Sequence, residues 1–423
     1  MERLLVVKLE VVEKGTQELG IAELKQSGSN VVQDAVKWMP LMDYKTTGRH
    51  NHHMQAIFNP TKSEVMCCMA GNLVDRQSSD GSRWHVPWVY RIRNYLEPVS
   101  LGPVANRDPL ADVTHTDEPS FAMVQSMLNV AVTTYNNEMI EGGGKDPALV
   151  VPMACRRLLL RYVNEGGKET VKVGQFFSHG RGEEGDMLHK SPKLYVPPGG
   201  GLQTSPLKYV YNIQLEWVNK MYIESIHVDQ FDKIVDNPKM AWNRIKIKGE
   251  IPWMTMHRMS FYHTGLPDAL MLVDDKTKTN WLWIFYIAVG QKISFFRIQL
   301  REDGGINNTG GELEGQNAAT LTFTNDDVCE FPQFTSICVK VCFGRVWMVV
   351  GGKKHGALFS CAMPQDAVLP TKLNASKGGP YVDGEWVQSQ DVIPGTQDEW
   401  WKDQWVPAEK SYQLVRVPAS FAL

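Results

Sequence analysis

Gly180-Arg181-Gly182-Glu183-Glu184-Gly185 is a G-x-G-x-x-G run that follows the strand-like stretch Val171 to Phe177. Such a run can hold a pyrophosphate when a helix begins directly after it and offers its free amides. Here Pro192 ends the segment after barely a turn, and Glu183 and Glu184 repel an anion. The run is therefore read as a hairpin loop. Gly351-Gly352-Lys353-Lys354 lacks the spacing and the Ser or Thr of a phosphate-binding loop. His50-Asn51-His52-His53 is the densest histidine group, and His50 and His52 share a face of an extended segment. No Cys, Asp or Glu follows at metal-ligand spacing, so a solvated loop is expected. His257 and His263 flank a strand-like segment without a marked acid or nucleophile and are read as structural. No cofactor and no metal are expected, and no catalytic residue is assigned.

Cys338 and Cys342 stand on one face of an extended run, together with Lys340. A single Cys-x-x-x-Cys is a poor zinc signal, so both are expected to be buried, as is the Cys67-Cys68 pair. Asp274-Asp275, Glu302-Asp303 and Asn325-Asp326-Asp327 fall in expected turns, where acids usually cap or are solvated. No Gly-x-Ser-x-Gly and no His-Glu-x-x-His is present. The chain has 13 tryptophans. Trp386, Trp400, Trp401 and Trp405 cluster in a proline-rich C-terminal stretch, and aromatic anchors of this kind dominate the centres of protein interfaces. They are the expected subunit-interface anchors. On that expectation, deleting residues 395–423 leaves a folded body that no longer assembles.

The elements that must carry these residues follow from composition. A chain of 423 residues with 43% hydrophobic and 22% charged residues is globular and long enough for two or three cores. A net charge of -3 argues against a general nucleic-acid surface. The N-terminal apolar run is cut by Lys8, and nothing approaches a membrane-spanning length, so neither secretion nor a membrane span is expected. Seven cysteines without a secretory leader are expected to be reduced.

Residues 1–115 form a mixed strand and loop region in which Leu4 to Val12, Val65 to Ala70 and Trp84 to Tyr95 have strand composition and Val31 to Trp38 suits a short helix. Residues 116–167 suit a helical hairpin: Asp117 can cap a helix carrying Phe121, Val124, Leu128, Ala131 and Val132, a second runs towards Val163, and Gly166-Gly167 stops it. From 168 to 364 the period switches to two. Tyr209 to Val218, Trp281 to Val289, Lys292 to Leu300, Ser336 to Phe343 and Arg345 to Val350 are among the expected strands, with a helix at Tyr222 to Val235. Residues 365–423 read as an extended Pro- and Trp-rich tail or arm. No unit of 20 to 50 residues repeats, which disfavours a propeller or solenoid. The expected class is α+β, mainly β, with an antiparallel β-sandwich or jelly-roll body, a small helical segment and an extended C-terminal tail.

This layout, helices over Asp117 to Val163 and strands from 168 to 361 followed by a tail, resembles coat proteins of icosahedral viruses, above all outer-capsid proteins of the double-stranded RNA type. Trp281 to Cys361 also resembles a small β-sandwich of arthropod farnesoic-acid-methyltransferase-like proteins. The coat-protein resemblance implies a non-enzymatic structural protein that self-assembles through repeated contacts with its own copies and other capsid proteins. It also implies a place in the virion after synthesis in the host cytoplasm, with a cytoplasmic location open as the alternative; a glycan receptor is among the expected partners. A glycan-binding β-sandwich and a carboxylate-dependent hydrolase stay open as alternatives.

Overall fold

A computed structural model describes residues 2–13, 16–27, 30–40, 54–60, 62–77, 83–92, 98–103, 113–116, 120–124, 127–136, 155–175, 193–198, 205–216, 220–234, 242–248, 267–288, 292–307, 311–322, 336–351, 356–374, 384–389 and 410–421. Within them the chain is nearly all antiparallel strand, and the expected mainly-β class holds.

The strands group into six sheets taken up in chain order. The first contains β1 (Glu2–Glu13), β2 (Thr16–Ser27) and β3 (Asn30–Pro40). The second is β4 (Met54–Asn59), β5 (Glu64–Gln77), β6 (Arg83–Ile92) and β7 (Pro98–Pro103). In the third, β8 (Val113–Thr116) and β9 (Ser120–Val124) share one edge of β10 (Met127–Asn136), which pairs on to β11 (Cys155–Glu165) and β12 (Lys168–Gln175). The fourth runs β13 (Lys193–Tyr195), β14 (Tyr209–Glu216), β15 (Lys220–His227) and β16 (Asn243–Ile247), with the short helix α1 (Val228–Phe231) after β15. The fifth is β17 (Asp268–Val273), β18 (Asn280–Ala288), β19 (Lys292–Leu300) and β21 (Gln316–Thr322); the intervening β20 (Glu312–Leu313) pairs with β16 of the fourth. The sixth is β22 (Ser336–Cys342), β23 (Arg345–Gly351), β24 (Gly356–Ala362) and β26 (Trp386–Gln388), edged by β25 (Leu373–Asn374). The last strand, β27 (Lys410–Pro418), returns to the first sheet and pairs with β1 from Glu2↔Pro418 to Glu10↔Lys410.

The sheets pack face to face in a closed ring, with β27, β4, β9, β13, β17 and β22 as neighbouring inner strands. Six sheets of four or five strands around an axis, closed by a strand from the opposite terminus, make a six-bladed β-propeller. Closure spares the ring two exposed radial faces, which an open arc of apolar blades would leave in water.

The reason lies in which faces are apolar. Along β18, Trp281, Trp283, Phe285 and Ile287 pack against blade six, while Leu282, Ile284 and Tyr286 pack against blade four. A strand buried on both faces needs a continuous apolar run, and Trp281 to Val289 is one. Leu4, Val6, Tyr412 and Leu414 of blade one close over Cys338, Cys342 and Trp347 of blade six. Ala122 and Val124 of blade three meet Leu194, Val210 and Phe231 of blade four. A β-sandwich buries one face of each sheet; here both are covered, so the sandwich or jelly-roll arrangement is corrected to a ring of blades.

Inner strands begin at residues 54, 120, 193, 268, 336 and 410, so the structural repeat is 66 to 75 residues long. It exceeds the 20 to 50 residue window in which sequence repeats were sought, and it carries no sequence signature.

The expected helices are strands. Residues 120–165 hold β9, β10 and β11, paired through Val130↔Leu160 and Val132↔Leu158. The apolar spacing at Phe121, Val124 and Leu128 fits a helix, but β10 also carries Val130, Val132, Thr133, Thr134 and Tyr135, whose branched and aromatic side chains favour a pleated sheet. Gly166-Gly167, read as a helix stop, is the turn of the β11–β12 hairpin with φ of 61° and 85°, a conformation that costs glycine little. Val31 to Trp38 lies in β3, and Tyr222 to Val235 holds β15 and the four-residue α1. Among the described residues no helix is long and apolar enough to cross a membrane.

The four described cysteines, Cys67, Cys338, Cys342 and Cys361, are free and buried. Burial pushes the Cys338 and Cys342 thiols up to about 11 and those of Cys67 and Cys361 higher still. The thiolate is the reactive form. Iodoacetamide at pH 8 is therefore expected to leave all four unmodified in the native protein and to label them after denaturation, as read by peptide mass spectrometry. Rapid native labelling of Cys338 or Cys361 would contradict the packing between blades.

Candidate functional site: a charged cluster on the propeller axis

Three inner strands place charged side chains together. Asp268 is the first residue of β17, Lys193 the first of β13, and Lys340 lies within β22. Lys193 Nζ is 3.3 Å from Asp268 Oδ1, and Lys340 Nζ is 3.7 Å from Asp268 Oδ2. Asp268 Oδ2 also accepts a 2.7 Å hydrogen bond from the Val339 amide. The carboxylate thus ties blades four, five and six together at the axis. Asp268 is 1% exposed and Lys193 is buried, whereas the Lys340 side chain keeps 31% of its surface.

Burial by itself raises the pKa of a carboxyl group. Lys193, Lys340 and the amides of Val339 and Ala269 outweigh it and hold Asp268 below the ordinary aspartate range. Burial likewise works against the Lys340 charge, but the adjacent Asp268 carboxylate raises its pKa on balance. Asp268 and Lys340 are both charged at neutral pH. Asp268 Oδ1 accepts no hydrogen bond among the described residues, although Lys193 stands near it. Tyr195, two residues after Lys193, accepts a 2.8 Å hydrogen bond from the Met271 amide, which leaves its own proton to donate. Lys340, Asp268 and Arg416 of β27 all bear electrostatically on that hydroxyl, and burial raises its pKa. Arg416 is itself paired with Glu2 at 3.4 Å.

The arrangement offers an acceptor ionised at neutral pH with two ammonium groups within 4 Å of it, and a hydroxyl donor on the neighbouring strand β13. An aspartate with a lowered pKa is unsuited to donate a proton at neutral pH; it can orient a hydroxyl or stabilise positive charge.

A second buried charge has a structural task. Arg161 of β11 donates to Asn129 Oδ1 at 2.7 Å and to the carbonyls of Phe231 and Asp232 at 2.8 Å each, and so fastens blade three to α1 of blade four. Among the described residues no group of three or more His, Cys, Asp or Glu could hold a metal.

Of the expected interface anchors, Trp386 is fully buried within blade six, where its Nε1 donates to the Pro370 carbonyl. Its ring packs near Phe295 of blade five. Trp400, Trp401 and Trp405 lie outside the described residues, as do His50, His52, His53, His257, His263, the Gly180–Gly185 run, Asn325 to Asp327 and Gly352 to Lys354. The turn acids cap as expected: Asp274 Oδ1 accepts from the amides of Lys276 and Thr277, and Asp303 Oδ1 from that of Gly305. Sequence reasoning missed Asp268 and Lys193 and named Lys340 only as a strand residue. The available signal was a lone charge at or inside short apolar strands, Asp-Ala-Leu-Met-Leu-Val and Ser-Ile-Cys-Val-Lys-Val-Cys.

No family model and no curated protein matches the chain. Among solved structures it is similar to an alpha-L-arabinofuranosidase from Lactobacillus brevis, with a TM-score of 0.39, 10% identity, and 72% of this chain and 93% of that chain covered. It is similar to the NanB sialidase from Streptococcus pneumoniae, with a TM-score of 0.41, 10% identity, and coverage of 86% and 75%. A third similarity is to an alpha-L-arabinofuranosidase from Clostridium thermocellum, with a TM-score of 0.38, 12% identity, and coverage of 82% and 95%. The expectation of a non-enzymatic, self-assembling coat protein is corrected here, because the layout behind it is replaced: its helical base is strand and the end of its tail is the inner strand of blade one.

Proposed function

We propose that this chain is a propeller that binds a small polyhydroxylated molecule, a sugar or sugar derivative, at the axis and acts on it there. One observation carries the reading. A buried, ionised carboxylate stands where three blades converge, and one of its oxygens accepts no hydrogen bond among the described residues. A buried acceptor of this kind is costly unless a donor meets it, and a ligand hydroxyl is such a donor. The Tyr195 proton and the two lysines supply the complementary donors. Vicinal hydroxyls, which donate and accept together, suit a set of mixed polarity. In this reading Asp268 orients the ligand hydroxyl, and Lys340, the most accessible of the three, faces the ligand.

The test is a thermal-shift and calorimetric screen of mono- and disaccharides, followed by p-nitrophenyl glycosides to detect turnover. At least one sugar is expected to bind, with its affinity reduced on the order of tenfold or more in Asp268→Asn, the loss typical of a hydrogen bond to a charged group. Sugar binding that Asp268→Asn leaves unchanged would sink the placement, and a screen without any binder would sink the reading.

A further inference from the structure

The cluster is unbalanced in charge. Lys193 and Lys340 bring two positive charges, and Asp268 is the one carboxylate within 4 Å of either among the described residues. Arg416 does not alter the sum, because Glu2 pairs with it. Among the described residues one formal positive charge is therefore left on the axis. Lys193 stands 3.3 Å from Asp268 Oδ1 and is the more buried of the two lysines, so the charge that faces a ligand is the partly exposed Lys340 ammonium. In a partly dehydrated site an excess ammonium attracts an anionic group far more strongly than it would in water. A neutral sugar satisfies hydrogen bonds there and leaves the charge standing.

We infer that the ligand carries a carboxylate, as a uronic-acid-type sugar does, and that this carboxylate pairs with Lys340 while a ring hydroxyl meets Asp268 Oδ1. The inference rests on the sugar-binding reading above and adds the charge of the substrate class to it. Selectivity then comes from the lysine and not from the shape of the ring, because replacing a hydroxymethyl group by a carboxylate barely changes size but supplies the missing charge. Ligand carboxylate and Asp268 are held apart by the ammonium between them, so the second negative charge does not repel the first.

D-glucuronate and D-glucose share one ring and differ in that single group, which makes them the probes. Isothermal titration in a buffer free of phosphate and sulfate is expected to show glucuronate binding at least about tenfold more tightly, in line with charge-assisted hydrogen bonds. The preference should vanish in Lys340→Met and return in Lys340→Arg, which keeps the charge and guards against a variant that merely misfolds. Glucose binding as well as glucuronate would overturn the inference and leave the sugar-binding reading standing. A glucuronate preference that survives in Lys340→Met would overturn the assignment to this lysine. Binding of neither sugar would overturn the inference, and the wider saccharide screen then decides the sugar-binding reading.

Discussion

A chain ending at residue 409 is expected to fail to fold. Strand β27 is the inner strand of blade one, and its Tyr412, Leu414, Val415 and Val417, with Phe421 beyond it, are all buried. Burying an aliphatic or aromatic side chain is worth roughly 1.5–3 kcal/mol. Five such side chains together are comparable to the whole stability of a domain, about 5–15 kcal/mol. The loss goes beyond β27 itself. Leu4 and Val6 of β1 and Cys338 and Trp347 of blade six would lose their cover, and the Arg3 guanidinium would lose the Phe421 carbonyl to which it donates at 2.6 Å. Far-UV circular dichroism, urea unfolding and size exclusion should report an unfolded or aggregated product, where an accessory arm would have left a folded body. A permuted chain carrying residues 410–421 ahead of residue 2, joined through a short turn, should recover the cooperative transition, because β27 and β1 pair antiparallel. A truncated protein with an unchanged urea midpoint would refute the closure of the ring.

The second large effect is expected at Asp268. Asp268→Leu removes the carboxylate that, among the described residues, alone stands between two lysines, and leaves the Val339 amide without its acceptor. Breaking a buried ion pair on one side costs about 3–5 kcal/mol, since the remaining charge stays buried and uncompensated. Lys193→Met in the same chain should return part of that loss, because it removes one of the stranded charges. The sum of two independent losses would contradict the coupling.

The same pair makes a pH prediction. Asp268 has a lower pKa in the folded protein than in the unfolded chain, so the unfolded chain takes up the proton first as pH falls. The stabilisation is complete above the unfolded value, roughly 3.9, and is lost as pH drops below it through the folded value. Urea midpoints of the native protein and Asp268→Asn should therefore differ by a constant amount from about pH 8 to pH 5 and converge below about pH 4. A gap that widens in acid would show that the carboxylate is not held ionised by its lysines.

Much of the strand content was legible because it is local. The glycine turn at Phe343-Gly344 adopts left-handed φ values of 54° and 66° and closes the β22–β23 hairpin as its sequence suggests. Tyr209 to Glu216, Trp281 to Ala288 and Lys292 to Leu300 are strands where branched and aromatic residues concentrate. Asp274 and Asp303 cap turns because a short acidic side chain reaches amides two or three residues on, wherever the turn sits. Cysteine burial was legible in the same way, from a side chain that behaves as a small hydrophobe.

Pairing and charge placement were decided by the tertiary structure. Residues 120–163 satisfy helical spacing and sheet composition together, and the partners supplied by β9, β10 and β11 to one another settle the matter. Tyr412 to Val417 looked like part of a loose tail because the partner that makes it an inner strand, β1, stands at the other end of the chain. Lys193, Asp268 and Lys340 lie far apart in sequence, and each is an isolated charge among apolar neighbours with no local reason to be read as part of a site. They meet because inner strands of successive blades converge on one axis, and an ion pair between distant residues leaves no spacing in a sequence. The amino-acid sequence by itself thus determined strands, turns and buried faces, which depend on neighbours a few residues away. The ring, its closure and the charged site depend on contacts between blades, and only the tertiary structure decides those.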